Sequence, residues 1–221
     1  MRKEPLVTDE YYHVYNRGVD KRDIFLDIDD LKRLEESILE FNRTYGIGSL
    51  ANIRKTQIES KPLSDEPIVA IVAFCLNPNH FHFVLKQLVD GGIAKFMQKI
   101  QGGYTYYFNV KNDRTGSLFQ GTFKSQLING ENYFNKIIAY VNNNDKIHNI
   151  PEDKKHLVLS SDHEYKNNNF KIVNEKEGKN ILEIFGGNKS FEKHCREIVS
   201  IIREERGRVS LSEEDNLPDR V

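Results

Sequence analysis

The chain has 221 residues, 38% hydrophobic and 29% charged, with a formal net charge of −1. That balance suits one well-buried soluble domain with an appendage and excludes a wholly basic nucleic-acid-binding surface. Two cysteines, Cys75 in an apolar run and Cys195 in a charged stretch, offer neither a disulfide framework nor a CxxC metal pair, so a reducing cytoplasm is expected. The longest apolar run, Ile68 to Leu76, is about half of a bilayer span, and the first dozen residues lack the apolar core of a signal peptide, which argues against a membrane role.

Residues 11–17, rich in Tyr and Val and closed by Gly18, predict a first strand. Acidic residues then open a helix whose apolar positions Leu31, Leu34, Ile38 and Phe41 recur every three or four residues. Residues 46–66 mix Gly, Ser, Lys and Pro without a period and are expected to be a mobile excursion. The run from Ile68 has the β-branched density of a strand buried on both faces, and Asn77-Pro78-Asn79 turns it into a second strand, HFHFVLK. On that return strand His80, His82 and Val84 share one face, and Phe81, Phe83 and Leu85 the other.

A helix over 92–110 follows, with Ile93, Phe96, Ile100, Tyr104 and Tyr107 on one stripe. Its Gly102-Gly103 pair predicts close approach of a partner element. Residues 117–128 predict a strand or bent hairpin, and 131–145 a closing helix. The resulting order of elements implies an α+β fold, a ferredoxin-like or RRM-like antiparallel sheet with helices on one face. Residues 1–150 make the main domain. Residues 151–221 are expected to be a polar linker, a helical extension and a disordered acidic tail.

His80 and His82 carry the sharpest chemical signal. Residues two apart on a strand lie about 6.5 Å apart on one face, so two imidazoles there can converge on one divalent cation. On the closing helix Tyr140 sits where the apolar arc meets a polar stripe holding Tyr133, Lys136 and Asn144. Asn144, one turn on, offers an amide oxygen, and Lys136, one turn back, a charge able to stabilise a phenolate or a phosphate. A structural interpretation stays open, with Tyr140 as an interface aromatic and Asn142-Asn143-Asn144 as a helix end. Charge is also uneven: residues 91–130 hold five bases against Asp113, a local +4 that permits contact with a polyanion.

The blocks LNPNHFHFVL, FMQKIQGGYTYYFN, GSLFQGTFKS and ENYFNKIIAYVNNN, with YHVYNRGVDKRDIFLDIDD before them, together resemble the HUH single-tyrosine transposases, specifically the REP-associated, IS200-like type. The resemblance covers about residues 10–165. It implies that His80, His82 and Asn144 bind a divalent metal, Mg²⁺ or Mn²⁺, that holds the scissile phosphate of single-stranded DNA. It makes Tyr140 the nucleophile, forming a 5′-phosphotyrosine, with Tyr133 as the rival. Family members often continue Leu-Asn-Pro after the tyrosine, whereas this chain has Asn143-Asn144-Asp145. The implied partner is a hairpin beside a single-stranded guide, bound by a monomer or homodimer in the cytoplasm, at the nucleoid. Arg17, Lys99, Lys124 and Lys136 are the candidate phosphate contacts, and Tyr104, or its neighbours Tyr106 and Tyr107, a candidate stacking platform. The main competing possibility is a domesticated hairpin-binding protein without catalysis; a hydrolytic metalloenzyme whose histidines activate water and an RNA-binding module of similar sheet topology are the others.

Overall fold

The computed structural model describes residues 5–44, 50 and 66–209. Leu50 and Glu66 apart, the expected mobility of 46–66 and disorder of the tail lie outside the described residues. Strand β1 (Tyr11–Arg17) leads through a 3-10 turn to helix α1 (Ile28–Phe41). Asp27 caps that helix, its carboxylate accepting from the backbone N–H groups of Asp29 (3.0 Å) and Asp30 (3.1 Å). Strands β2 (Val69–Asn77) and β3 (His80–Gln87) form the expected hairpin. Helix α2 (Gly92–Lys111), strand β4 (Lys124–Leu127), helix α3 (Glu131–Asn142) and the single turn α4 (Asn144–Ile147) complete the main body.

All pairings are antiparallel, in the order β4-β1-β3-β2-β5. The run 4-1-3-2 is the strand order of a ferredoxin-like fold, with β5 (Leu159–Ser160) added at the far edge. The β1–β3 register pairs Val14 with Phe83 and Tyr15 with His82. Because side chains alternate across a strand, Tyr12, Val14, Phe81, Phe83 and Leu85 face one way, and His13, Tyr15, Arg17, His80 and His82 the other. The first face is covered by α1 and α2, as the Phe83–Phe96 ring contact shows. The second receives α3, whose Tyr140 meets the ring of His82. Helices therefore cover both faces rather than the one expected: the apolar arc of α3 (Ile137, Ile138, Val141) must also be buried, and the α1/α2 side is already full.

The expected strand at 117–128 is shorter, confined to β4, with Phe119 making an isolated bridge to Gly18. A Cβ at Gly102 would meet nothing within 4 Å and at Gly103 only Phe41, at 3.9 Å, so the pair does not admit the close approach predicted for it. The stretch read as a polar linker contributes a 3-10 turn, β5 and α5 (Asp162–Asn167). Helices α6 (Glu175–Ile184) and α7 (Asn188–Val209) follow. Tyr165, Phe191 and Val199 of this region join the same apolar core as the sheet. Both cysteines are free and buried, and burial holds both thiols in the protonated form. No helix among the described residues is long and apolar enough to cross a membrane.

Candidate metal and nucleophile site

The β2–β3 turn places His80 as the first residue of the return strand, opposite Asn77. Its Nδ1 lies 2.6 Å from Asn79 Oδ1. Amide oxygens, which only accept, face both ring nitrogens, and a neutral ring has one proton for the two; with it on Nδ1, the shorter contact, Nε2 keeps its lone pair. Nε2 accepts from Asn77 Nδ2 at 2.9 Å and stands 2.9 Å from Asn144 Oδ1, which also accepts from Asn77 Nδ2, at 2.8 Å. In that tautomer a lone pair on His80 faces a lone pair on Asn144. Two ligand atoms each about 2.1 Å from one ion, at a right angle, stand about 3 Å apart, so a cation would turn this repulsion into attraction. The donor set fits the divalent metal implied by the motif.

His82 is buried, and its Nδ1 lies 2.8 Å from Nε2 of His13, with the two rings nearly coplanar (14°) and their centroids 5.1 Å apart. Burial pushes the His13 imidazole down to about 3, so it is neutral and can accept from His82, leaving His82 Nε2 as the ligand nitrogen. Tyr140 is buried on α3 with its ring edge-on to His82 (5.6 Å) and His13 (6.0 Å). The backbone leaves helical geometry at Asn143 (φ −124°, ψ 27°) and resumes it in α4, where the predicted helix ran unbroken to 145. His148 follows α4, its ring 4.8 Å from that of His80, and ligand atoms of His80, His82 and His148 all lie within 4.8 Å of one another.

This cluster opens into a cleft of about 410 Å³ whose walls carry Arg17, Lys21, Lys124 and Lys154. Arg17 Nε donates to Gln120 Oε1 at 2.6 Å, and the Lys124 ammonium sits over the Tyr15 ring at 5.6 Å. Lys154 is paired with Asp23 at 2.6 Å. The structure thus brings together His80, His82, Tyr140 and Asn144, with Arg17 and Lys124 at the rim.

Three expected DNA contacts lie elsewhere. Tyr104 is fully buried and donates its hydroxyl to Ile24 O, so it presents no ring to a base. Lys99 lies over Phe41 on the α1/α2 side, across the sheet from the histidines. Lys136 is half-buried on α3 and does not line the cleft. Tyr106 is exposed and Tyr107 stands near Arg33 and Lys111; both tyrosines are on α2, away from the site. The rival Tyr133 is close to Tyr15, and burial raises its phenol. Sequence reasoning missed His13, Asn77, Asn79 and His148. Only His148 left a trace, in the spacing of four that links Tyr140, Asn144 and His148.

Residues 55–144 match the family described as Transposase IS200 like. This is the family that the motifs resemble. The matched stretch of the IS200-like family runs from before β2 to Asn144, so it includes both β3 histidines and Tyr140. Among solved structures the chain is similar to that of a REP-associated tyrosine transposase bound to a REP hairpin, with a TM-score of 0.52 and 16% identity over 78% of this chain and 88% of the other. That likeness bears on the fold, and the α+β expectation agrees with it. No curated protein matches the chain significantly.

Proposed function

We propose that the chain is a metal-dependent transposase that recognises DNA hairpins and cleaves and rejoins single strands through a 5′-phosphotyrosine. The observation that carries this reading is the packing of the Tyr140 ring against His82, with the Asn144 amide oxygen 2.9 Å from His80 Nε2. The histidines of the donor set line a basic cleft, and Tyr140 and Asn144 are buried directly behind them. His80, His82 and Asn144 would hold the ion, with His13 and Asn79 fixing the two imidazoles. When bound, it supplies Lewis-acid polarisation of the scissile phosphate and offsets charge on its oxygens.

Tyr140 Oη bonds to phosphorus and the bond from phosphorus to O3′ breaks, the phenol proton passing by way of solvent to the departing 3′ oxygen. One phosphodiester replaces another, so the step needs no nucleotide cofactor and can run backwards to rejoin strands. Arg17 and Lys124 line the phosphate path, and residues 1–150 form the catalytic part. The hairpin as substrate is drawn from the neighbour, whose structure contains one.

The test is a denaturing gel of full-length protein incubated with Mn²⁺ and a labelled single-stranded hairpin. A covalent band lost in Tyr140→Phe supports the reading; cleavage that survives would transfer the role to Tyr133 or refute it. Hairpin binding by the parent chain with no covalent band would leave a non-catalytic binder.

A further inference from the structure

We infer, resting on the metal-site reading above, that His148 is a third imidazole ligand, making the centre a three-nitrogen, one-oxygen site that takes nitrogen-favouring first-row cations in preference to Mg²⁺. His148 reaches the site through α4. Its backbone N–H bonds to Asn144 O at 3.0 Å, so the two residues stand one turn apart on one face. The same turn that presents the Asn144 amide to His80 therefore presents the His148 imidazole, whose ring meets that of His80 at 64°. The three ligand atoms lie within 4.8 Å of one another, close to the roughly 4 Å that separates opposed ligands of one ion. His148 is half-buried at the cleft wall.

The composition of the donor set decides the preference. Among the described residues no carboxylate joins the histidine cluster, and the oxygen of Asn144 beside it belongs to a neutral amide. Mg²⁺ demands oxygen ligands in octahedral array, whereas imidazole favours the transition series, in the order Mn²⁺ < Co²⁺ < Ni²⁺. Three neutral imidazoles select against Mg²⁺ without any change of charge.

The experiment titrates the full chain with Mn²⁺, following the free-ion electron paramagnetic resonance signal, and counts bound imidazole nitrogens by pulsed measurement of the same sample. Three nitrogens are expected in the parent chain and two in His148→Ala, with Mn²⁺ binding weakened at least about tenfold. His148→Gln, which keeps much of the side-chain volume, gives the same loss if folding of the alanine variant is in doubt. Mg²⁺ at a hundredfold excess should leave most Mn²⁺ bound. Two nitrogens in the parent chain, unaltered in either variant, or ready displacement by Mg²⁺, would overturn the inference while leaving the metal reading intact. Absence of Mn²⁺ binding in the parent chain would instead strike the metal reading itself.

Discussion

Replacing His13 by Phe isolates the support that one buried ring gives to another. Phe preserves a flat ring beside Tyr15 (4.9 Å) and His82 (5.1 Å) but removes the nitrogen 2.8 Å from His82 Nδ1. His82 keeps its place on β3 and loses the acceptor that assigns its proton to Nδ1. Outer-shell losses of this kind lower metal affinity about 10–100-fold, or about 1.4–2.8 kcal/mol. Burial of a nitrogen deprived of its hydrogen bond adds about 1–3 kcal/mol of lost stability. The assay is covalent adduct formation against Mn²⁺ concentration. The midpoint should move up by that factor while the plateau at saturating metal stays within a few-fold of the parent. A lowered plateau with an unmoved midpoint would refute the reasoning, because His13 would then act on Tyr140, whose ring it also meets, and not through His82.

The same histidine governs acid sensitivity. Burial holds its folded-state value near 3 against an ordinary 6.5, so between those limits only the unfolded chain takes up the proton; the stabilisation is complete above pH 6.5 and is lost as pH falls towards 3. At pH 5 the loss is about 2 kcal/mol, seen as a lower urea midpoint than at pH 7, and His13→Phe should lack that part of the slope. Lys124→Ala should weaken hairpin binding and reduce the slope of log affinity against log salt by about 0.7–0.9, whereas Lys99→Ala, across the sheet, should change neither; filter binding at several salt concentrations separates them. Gly178→Ala would set a Cβ 2.6 Å from Phe170 Cε1, and overpacking of about 1–3 kcal/mol should lower Tm by several degrees in a thermal melt; an unchanged Tm would mean the ring swings clear at no cost.

Local pattern made β1, α1, the β2–β3 hairpin and α2 readable, because each carries its own period of two or near 3.6 in consecutive residues. The site was readable only where its parts are close in sequence: His80 with His82, and Tyr140 with Asn144. His13 lies 69 residues from its partner. Nothing in its own strand reports the register that sets Tyr15 opposite His82 and so places His13 at that ring's side. Tyr104 shows the opposite error. Its place on the apolar stripe of α2 already indicated burial, and that physical signal outranks aromatic character as a guide to base stacking. Lys99 shares its helix and fails as a cleft residue because that helix serves the far face. The turn α4 went unseen since a break of one residue, at Asn143, changes the direction of the chain without altering hydrophobic spacing.

Ser161, beside β5, accepts from the backbone of Phe74 (3.0 Å) in β2 and donates to Asn142 Oδ1 (2.6 Å) at the end of α3, while α7 lies along the outer side of α3. The helix bearing the phenol is thereby stitched to the sheet bearing the imidazoles by later parts of the same polypeptide. On the proposed reading each copy supplies both its own phenol and its own imidazoles, so first turnover should scale linearly with protein and persist on dilution, where an arrangement borrowing its phenol from a neighbour would fade with the square of concentration.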